Sequence, residues 1–344
     1  MLRTLRLLLL PFSWLYGLVL TIRRKLYTWG YFKAYRAPVP VISVGNISTG
    51  GTGKTPVAAY ILSHLSQYNI SAAYLSRGYG RKTKGYLRVN PSTGNSLQYG
   101  DEALQIAHQF PELPVAVCEK RAIGIQQLLS ETDVQVIVLD DAFQHLAVAR
   151  DLNLVVMDAQ RLPDQDFILP AGNLREVLST LKKADFFIIN KLSHKALLPE
   201  IEKRLGKWGK EMAFCRPAFH DIRTFQEEVY RIQNGQSIHA FAGIGNPHYF
   251  FDQLRTQGFQ LKGVTAFSDH HDYQAREFAS ILADLGPETI LLTTEKDYHR
   301  LKDADWLSQY DHFTWTYLPM YLKWWKGEVT LQANIHRVLQ DFAI

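Results

Sequence analysis

A glycine-rich segment that ends in Gly-Lys-Thr is the part of the sequence most suggestive of chemistry. It follows the apolar run 40–45 and precedes apolar residues at helical spacing. Glycines allow successive backbone N–H groups to surround a polyphosphate, and the dipole of the next helix favours negative charge there. In such a loop the lysine reaches the terminal phosphates and the threonine hydroxyl binds Mg²⁺. The segment predicts a nucleotide-binding phosphate loop made of Gly50, Gly51, Thr52, Gly53, Lys54 and Thr55.

This phosphate loop, residues 50–55, departs from the standard pattern at one position. The pattern has glycine five residues before Gly53, where this chain has Ser48. The Gly-Gly-x-Gly-Lys-Thr form is nearer to the loops of metal-chaperone and partitioning ATPases, although Thr49 stands where those loops usually have lysine. A membrane-associated ATPase switch of that kind is therefore the alternative to an enzyme that transfers phosphate.

Two aspartates follow a second apolar run and predict a metal site. Residues 134–139 are apolar except for one glutamine, and Asp140 and Asp141 come directly after them. Such a strand delivers carboxylates to the carboxyl edge of a parallel sheet, where they can hold Mg²⁺ or its waters. The segment that begins Asn190-Lys191 ends in Ser193 and lacks the aspartate that reads guanine. ATP is therefore favoured over GTP.

Further polar clusters supply candidates for binding and proton transfer. The segment 76–82, Ser-Arg-Gly-Tyr-Gly-Arg-Lys, places cations on a glycine-bent loop that suits a phosphate group. Asp101 begins a helical pattern, where it is either a general base for a substrate hydroxyl or a helix cap. His270 and His271 follow Asp269, and an Asp-His pair facing a cleft could tune proton transfer.

Basic residues are concentrated at the N-terminal end of the chain. Residues 1–100 contain 13 lysines and arginines and no acid, whereas residues 101–344 contain 25 basic and 33 acidic side chains. This asymmetry indicates a polyanionic partner for the N-terminal part: a nucleic acid, an anionic membrane or a phosphorylated substrate.

The uncharged segment 7–22 narrows that choice. It is flanked by Arg3 and Arg6 on one side and by the basic residues 23–25 on the other. Its 16 residues would make a helix of roughly 24 Å, shorter than the hydrocarbon core of about 30 Å. We expect an interfacial helix on an anionic membrane and no nucleic-acid partner, since a nucleic-acid-binding ATPase would not explain this segment. The competing interpretation is a helix buried against the protein's own core.

The order of apolar and polar runs predicts an α/β protein. From residue 40 onward, short β-branched runs alternate with amphipathic segments, which indicates a P-loop NTPase-type, mostly parallel sheet with helices on both faces. The polar stretch 220–236 interrupts this rhythm before a smaller C-terminal α/β lobe. The expected segments are 1–35 for the membrane-associating helix, 36–222 for the core with the phosphate loop, 223–236 for a linker, and 237–344 for the smaller lobe with its closing helix.

Individual elements can be placed within this plan. The two cysteines, Cys118 and Cys215, lie far apart and form no metal or redox pattern, which fits a reducing compartment. The aromatic run 313–325 is expected to be a core or edge strand, with a contact to acyl chains as the second interpretation. The expected strands of the first sheet are 40–45, 71–76, 114–118, 134–140, 152–157 and 185–190, with helices at 101–109, 120–130 and 174–182. Strands at 237–243 and 288–293, a helix at 274–285 and a closing helix at 328–344 are expected beyond them.

Taken together, seven motifs give a specific resemblance. The sequence contains, in order, VGNISTGGTGKTP, SRGYGRK, GDEA, LDDAFQH, LPAGNLRE, FSDHH and TTEKD. This combination resembles the tetraacyldisaccharide 4′-kinase family, the lipid A kinases of Gram-negative bacteria, and covers nearly the whole chain. The resemblance implies ATP- and Mg²⁺-dependent phosphorylation of the 4′-hydroxyl of a tetraacylated glucosamine disaccharide 1-phosphate. It also implies peripheral or monotopic attachment to the cytoplasmic face of the inner membrane; the oligomeric state is not indicated.

The resemblance further implies roles for individual residues. Asp101 would be the base, His270 would assist it, and Lys54 would keep its catalytic role in the phosphate loop. One departure from the family pattern is Val177, where proline is expected after Leu-Arg-Glu. The implied metal residues are Thr55, Asp140, Asp141 and Glu176, with Gln144 nearby, and the implied substrate or nucleotide contacts are Asn46, Arg77, Arg81 and Arg121.

Overall fold

A computed structural model of the chain describes residues 6–233, 236–269, 271–286, 288–302 and 304–344. Their strands form two sheets, one of nine strands and one of five. We call the parts of the molecule built around them the first lobe and the second lobe. The predicted α/β fold with a smaller second lobe is confirmed.

The centre of the nine-stranded sheet carries the phosphate loop. Strand β1 (Val41–Gly45) lies between β5 (Val136–Asp140) and β6 (Leu152–Asp158), parallel to both. Every residue of β1 and β5 is buried, because helices cover both faces of the sheet. The other strands are β2 (Ala72–Ser76), β3 (Leu87–Arg88), β4 (Val115–Val117), β7 (Phe186–Asn190), β8 (Glu211–Phe219) and β14 (Met320–Lys326), in the spatial order β14-β8-β7-β6-β1-β5-β2-β4-β3.

Helices cover the first sheet on both sides. The helix after the phosphate loop, the helix that begins at Asp101 and the last helix of the chain share one apolar core on one face, and shorter helices complete cores on the other. In chain order the helices of this lobe are α1 (Leu10–Thr28), α2 (Lys54–Gln67), α3 (Ser96–Tyr99), α4 (Asp101–Gln109), α5 (Arg121–Glu131), α6 (Leu198–Leu205) and, after the second lobe, α10 (Glu328–Asp341). Short 3₁₀ turns occur at Pro163–Gln165, Leu178–Lys183, Lys195–Leu197 and Gly206–Trp208.

The second lobe is a five-stranded sheet with its own aromatic and aliphatic core. Three of its four strand pairings are parallel, and the fourth, with the short strand from the predicted linker, is antiparallel. Its strands are β9 (Arg223–Thr224), β10 (Ile238–Ala242), β11 (Leu261–Ala266), β12 (Ile290–Thr294) and β13 (Thr314–Leu318), in the order β11-β10-β12-β13-β9. Its helices are α7 (Pro247–Thr256), α8 (Ala275–Leu282) and α9 (Glu295–Leu301), with a 3₁₀ turn at Asp305–Tyr310.

The end of the chain returns to the first lobe. The aromatic run 313–325 forms two strands in different sheets: β13 completes the second sheet, and β14, after Pro319, pairs antiparallel with β8 in the first. Helix α10 then packs into the core that also contains α2. Residues 320–344, predicted with the smaller lobe, therefore lie with the first sheet, because the apolar face of α10 is buried there.

The strands predicted at 40–45, 71–76, 114–118, 134–140, 152–157 and 185–190 are confirmed to within two residues. The α-helix predicted over 174–182 is wrong. In that segment Leu174 forms bridges with Ser48 and Ile168, and the Arg175 amide donates to Ile47 O at 2.7 Å. Because these backbone groups bond to neighbouring loops, only the 3₁₀ turn at Leu178–Lys183 remains helical.

Helix α1 lies on the surface of the first lobe. Only Ser13 and Gly17 are buried in it, and the Ser13 hydroxyl donates to Ile168 O at 2.9 Å and accepts from the Ala171 amide at 3.0 Å. The interpretation of a core-buried helix is therefore wrong. Along the part of the chain that the structure describes, no helix combines the length and apolarity needed to cross a bilayer. The membrane position of α1 stays a prediction.

Candidate functional site

The phosphate loop joins the end of β1 to the start of α2. Gly50 and Gly53 have φ angles of +96° and +92°, in the left-handed region that favours glycine. A Cβ atom on Gly53 would lie 2.1 Å from Nδ2 of Asn190, so no larger residue fits there. Lys54 and Thr55 form the first turn of α2, where free backbone N–H groups and the helix dipole favour anions. The predicted phosphate loop is thus built at a helix N-terminus.

Asp141 connects the phosphate loop to a second cation. Its Oδ1 lies 3.5 Å from Nζ of Lys54, and Arg175 donates to its two oxygens at 2.7 and 3.0 Å. Burial opposes ionisation, but the hydrogen bonds from Arg175 and the charge of Lys54 hold the pKa of Asp141 well below its usual range. Arg175 also donates to Oδ1 of Asn46, whose carbonyl accepts from Gln144 at 2.6 Å. Asp141 has a φ of +48°, an uncommon conformation that recurs at functional sites.

Asp140 has the opposite electrostatic environment. It is buried at the end of β5, where Tyr74 donates to Oδ2 at 2.7 Å and the Asp141 amide donates to Oδ1 at 2.8 Å. Burial, with the negative charges of Glu102 and Asp141, raises its pKa to about 7. Because the charge of Glu102 acts on the pKa of Asp140, the first turn of α4 lies near the end of β5.

The residues around Asp140 fit a magnesium site that is completed by a nucleotide. Mg²⁺ usually binds one or two carboxylates together with substrate phosphates and waters. Asp140 and the Thr55 hydroxyl offer the oxygen ligands this requires, and the negative charge that raises the Asp140 pKa is the kind a cation would neutralise. Within the described ranges no cluster of three or more His, Cys, Asp or Glu could hold a metal ion by itself.

Glu176 pairs with the N-terminal helix. Arg24 donates from Nε to Oε2 at 3.1 Å, and its Nη2 lies 2.9 Å from Oε1. The carboxylate is 1% exposed. Both oxygens are therefore engaged in an ion pair that anchors α1, and a direct metal role for Glu176 would require breaking it.

Asp101 lies where the two lobes meet. The N-cap of α4 is Gly100, and no side chain caps the helix, so the interpretation of Asp101 as a cap is wrong. Arg300 of α9 instead donates to Oδ2 of Asp101 from Nε at 2.8 Å and also from Nη2. Nη1 of Arg300 donates to Asp297 at 2.8 Å and to Gly243 O at 2.7 Å. His270, the predicted assistant of Asp101, lies outside the described residues.

The predicted phosphate-binding arginines occupy different environments. The side chain of Arg81 is 2% exposed and donates from Nη2 to Glu119 Oε1 and Gly85 O, both at 2.6 Å, which fixes the loop it belongs to. Arg121 is buried and donates to Cys118 O and Asp140 O. Arg77 is exposed.

A cationic cluster surrounds His145. Burial and neighbouring positive charges lower the pKa of His145 to about 4. One of these charges comes from helix α1, so the cluster connects the N-terminal helix to the first lobe. The contributing arginines are Arg121, Arg150, Arg23 and Arg77. Of these, Arg23 and Arg77 are exposed.

Four functional candidates were missed from the sequence: Tyr74, Arg24, Arg175 and Arg300. Each acts through a partner distant in sequence, such as Asp101 for Arg300. Arg175 belongs to the Leu-Arg-Glu motif, and a cation beside a carboxylate is the signal the sequence offers for it. Tyr74, a buried tyrosine in an apolar strand, gives no signal of a functional role in the sequence.

Comparisons with known proteins agree with this geometry. The model of the tetraacyldisaccharide-1-P 4′-kinase family, LpxK, matches residues 5–340. The chain is 37% identical over 316 residues to the tetraacyldisaccharide 4′-kinase of Chlorobaculum tepidum, covering 89% of this chain and 90% of the relative. It is 36% identical over 313 residues to that of Haemophilus influenzae, covering 91% and 87%.

A solved structure gives the same result. The crystal structure of LpxK from Aquifex aeolicus, described as an "apo" form in complex with ATP, superposes with a TM-score of 0.79 and 32% sequence identity. The match covers 98% of this chain and all of that one. The chain belongs to the tetraacyldisaccharide 4′-kinase family.

Proposed function

We propose that this protein transfers the γ-phosphoryl group of ATP to the 4′-hydroxyl of a tetraacylated glucosamine disaccharide 1-phosphate, a step of lipid A biosynthesis. The observation that carries the proposal is the meeting of three features. The phosphate loop holds Lys54, the end of β5 holds Asp140 and Asp141, and the start of α4 holds Asp101. Family membership supplies the substrate class.

The phosphate loop binds the triphosphate and Lys54 stabilises the transferring group. Backbone N–H groups of residues 50–55 surround the β- and γ-phosphates, and the Lys54 ammonium meets the charge that develops on the phosphoryl oxygens. Asp141, held ionised by Arg175, orients Lys54. Thr55 and Asp140 would hold Mg²⁺, which neutralises phosphate charge when bound.

Asp101 accepts the proton of the 4′-hydroxyl. The 4′-oxygen forms a bond to the γ-phosphorus as the bond from that phosphorus to the bridging oxygen breaks and ADP leaves. Arg300 orients Asp101 through its two donors. His270 would assist this proton transfer. Because Arg300 belongs to the second lobe, the base is in place only when the lobes are in contact.

The basic residues near α1 suit the anionic substrate. Arg23 and Arg77 are exposed and bind the substrate phosphate. The buried Arg121 and the half-buried Arg150 add positive electrostatic potential nearby. Asn46 acts indirectly, because its Oδ1 accepts a hydrogen bond from Arg175. Arg81 shapes its own loop through Glu119.

Helix α1 attaches the protein to the cytoplasmic face of the bacterial inner membrane. Its outer side is apolar and exposed: Phe12, Trp14, Leu15 and Leu18 are 55–72% exposed. Leu8, just before the helix, is 74% exposed. Basic residues at its end meet anionic headgroups while these side chains enter the acyl region. The expected segments 1–35, 36–222 and 223–236 stay part of this proposal, whereas the smaller lobe is limited to 237–319, because residues 320–344 lie with the first sheet.

Transfer of labelled phosphate from γ-labelled ATP to the purified disaccharide 1-phosphate tests the reaction. We expect label on the lipid and equimolar ADP. A membrane-associated ATPase switch would release ADP without labelling the lipid and would depend on a protein partner. ADP release that is independent of the lipid would therefore contradict the kinase.

Flotation with vesicles of phosphatidylethanolamine and phosphatidylglycerol tests the membrane position. Changing Trp14, Leu15 and Leu18 together to serine should lower vesicle binding at least tenfold and leave ATP binding unchanged. Val329→Ser is the matched control, because Val329 is 78% exposed but lies at the start of α10. Equal vesicle binding by both variants would contradict attachment through α1.

A further inference from the structure

The outward side of the phosphate loop is bound by two consecutive residues from another strand. Strand β7 ends at Asn190, and Lys191 follows it. Nδ2 of Asn190 donates to Thr52 O at 3.0 Å, and Nζ of Lys191 donates to Gly51 O at 2.5 Å. When loop N–H groups turn inward around an anion, the loop carbonyls turn outward and need donors of their own. These two side chains supply such donors.

The two side chains are themselves held in place. Asn190 is 1% exposed, and its Oδ1 accepts from the Lys191 amide at 2.7 Å. Lys191 has a φ of +58°, a conformation that non-glycine residues rarely adopt, so the surrounding contacts maintain it. Its ammonium also pairs with Asp158 at 2.9 Å, at the end of β6. The pair thus connects the centre of the phosphate loop to the ends of two neighbouring strands.

Lys191 also contacts the second lobe. Its Nζ lies 5.6 Å from the ring centroid of Tyr249, on α7. A cation at this distance from an aromatic face is attracted to it. Lys191 therefore contacts both the phosphate loop of the first lobe and α7 of the second lobe.

We infer that Asn190 and Lys191 are positioning residues that hold the phosphate loop in its anion-binding conformation by binding the carbonyls of Thr52 and Gly51. The inference rests on the proposed function, because it takes the anion to be the triphosphate of ATP. It also gives a role to a segment that lacks the aspartate of a guanine-reading motif. In this structure the buried amide of Asn190 is engaged by the loop, since its Nδ2 donates to Thr52 O.

Lys191→Met tests the inference, because it removes the ammonium and keeps most of the side-chain volume. We expect the Kd for ATP to rise at least tenfold in calorimetry, with faster hydrogen exchange of the amides of residues 48–55 before ATP is added. Lys191→Arg should restore most of the affinity. Lys195→Met, a change of an exposed lysine four residues later, should match wild type.

Two further variants separate positioning from other roles. If Lys191 merely neutralised Asp158, then Asp158→Asn would restore ATP affinity to the Lys191→Met protein; positioning predicts no restoration. If Asn190 read the base, Asn190→Ala would change the ratio of kcat/KM for ATP and GTP; positioning predicts proportional losses with both. Asn190→Ser is the fallback should the alanine variant fail to fold.

Wild-type Kd and wild-type amide exchange in both Lys191→Met and the asparagine variant would overturn the inference. This outcome is distinguishable from failure of the proposed function. The latter would appear in the wild-type protein itself, as ATP binding without phosphate transfer to the disaccharide 1-phosphate.

Discussion

The phosphate loop and the surroundings of Asp101 are built in different ways. Within the described residues, the hydrogen bonds to loop atoms come from the first lobe: Asn46 reaches Thr52, and Asn190 and Lys191 reach the loop carbonyls. Asp101, in contrast, is bound by Arg300 of the second lobe. The nucleotide end of the site is thus preformed in one lobe, whereas the proton-accepting end depends on contact between two.

The helices that meet at Asp101 show what holds this contact together. The rings of His108 on α4 and His299 on α9 stack at 4.9 Å with an interplanar angle of 3°. Burial, with the nearby charges of His108 and Lys302, lowers the pKa of His299 to about 3, so that ring is neutral near pH 7. The buried ion pair of Arg300 and Asp101 lies on the same two helices. Changes in this interface should therefore act on the base and spare nucleotide binding.

The largest effect on kcat is expected from a change in the phosphate loop. Lys54→Ala removes the cation that meets the transferring phosphoryl group, and loss of one such electrostatic contact typically costs about 10²–10³ in kcat. We expect a loss at the upper end of this range, because Asp141 would then lose a partner as well. Initial rates of phosphate transfer measure it. A Lys54→Ala protein with more than a tenth of wild-type kcat would show that the loop does not serve transfer.

Asp101→Asn should have the next largest effect. The amide cannot accept the hydroxyl proton, and general bases contribute roughly 10²–10⁴-fold in rate. We expect kcat to fall at least a hundredfold while the Kd for ATP stays within threefold. The melting temperature should also fall, because Asp101 is 9% exposed and shares the Arg300 charge. A destabilised variant with normal kcat would make Asp101 purely structural.

Arg300→Met tests whether the second lobe acts through Asp101. It should lower kcat about tenfold, less than Asp101→Asn, since the carboxylate remains but loses its orienting donors. The double variant should lose less than the product of the two single losses, because both residues serve one proton transfer. Arg255→Met, an exposed arginine on α7, is the control. Multiplicative losses in the double variant would show that the two residues act independently.

The sequence was sufficient for the preformed end because its signals are local. The phosphate loop, the six strands and the aspartates at the end of β5 are each encoded in a few adjacent residues, and all lie where they were expected. The failure at 174–182 has a physical cause. Leu174 and Arg175 bond to residues 47 and 48, and such distant partners leave no periodic trace in the sequence.

The contact between Asp101 and Arg300 could not be predicted either, because its two residues are distant in sequence. Asp101 and Arg300 are 199 positions apart, and the charge of Arg300 within α9 resembles that of any surface arginine. The return of β14 to the first sheet was equally hidden. Its residues resemble those of β13, and only Pro319 separates the two strands. The roles of Asn190 and Lys191 likewise depend on which strand lies beside the phosphate loop.

The smallest effect concerns Asp140 and the pH dependence of stability. Its pKa is raised from an ordinary 3.8 to about 7, so the folded protein binds this proton more tightly than the unfolded chain does. The stabilisation is fully present below pH 4 and is lost as the pH rises through about 7. Between pH 5 and pH 8, the melting temperature of the nucleotide-free protein should therefore decrease. Asp140→Asn should flatten this decrease by several degrees, since the amide does not ionise.

Asp141→Asn is the matched control for this measurement. The pKa of Asp141 is lowered, so its contribution to stability is lost only as the pH falls below the ordinary carboxyl range. It should reduce the slope between pH 5 and pH 8 only in part, because burial and the charge of Glu102 still raise the pKa of Asp140. It should also lower the melting temperature across this range by freeing Arg175 and Lys54. Scanning calorimetry of the three proteins separates the two carboxylates. If Asp140→Asn kept the wild-type slope while Asp141→Asn flattened it, the protonation states of this pair would be reversed, and Asp141 would be the carboxylate left for the metal.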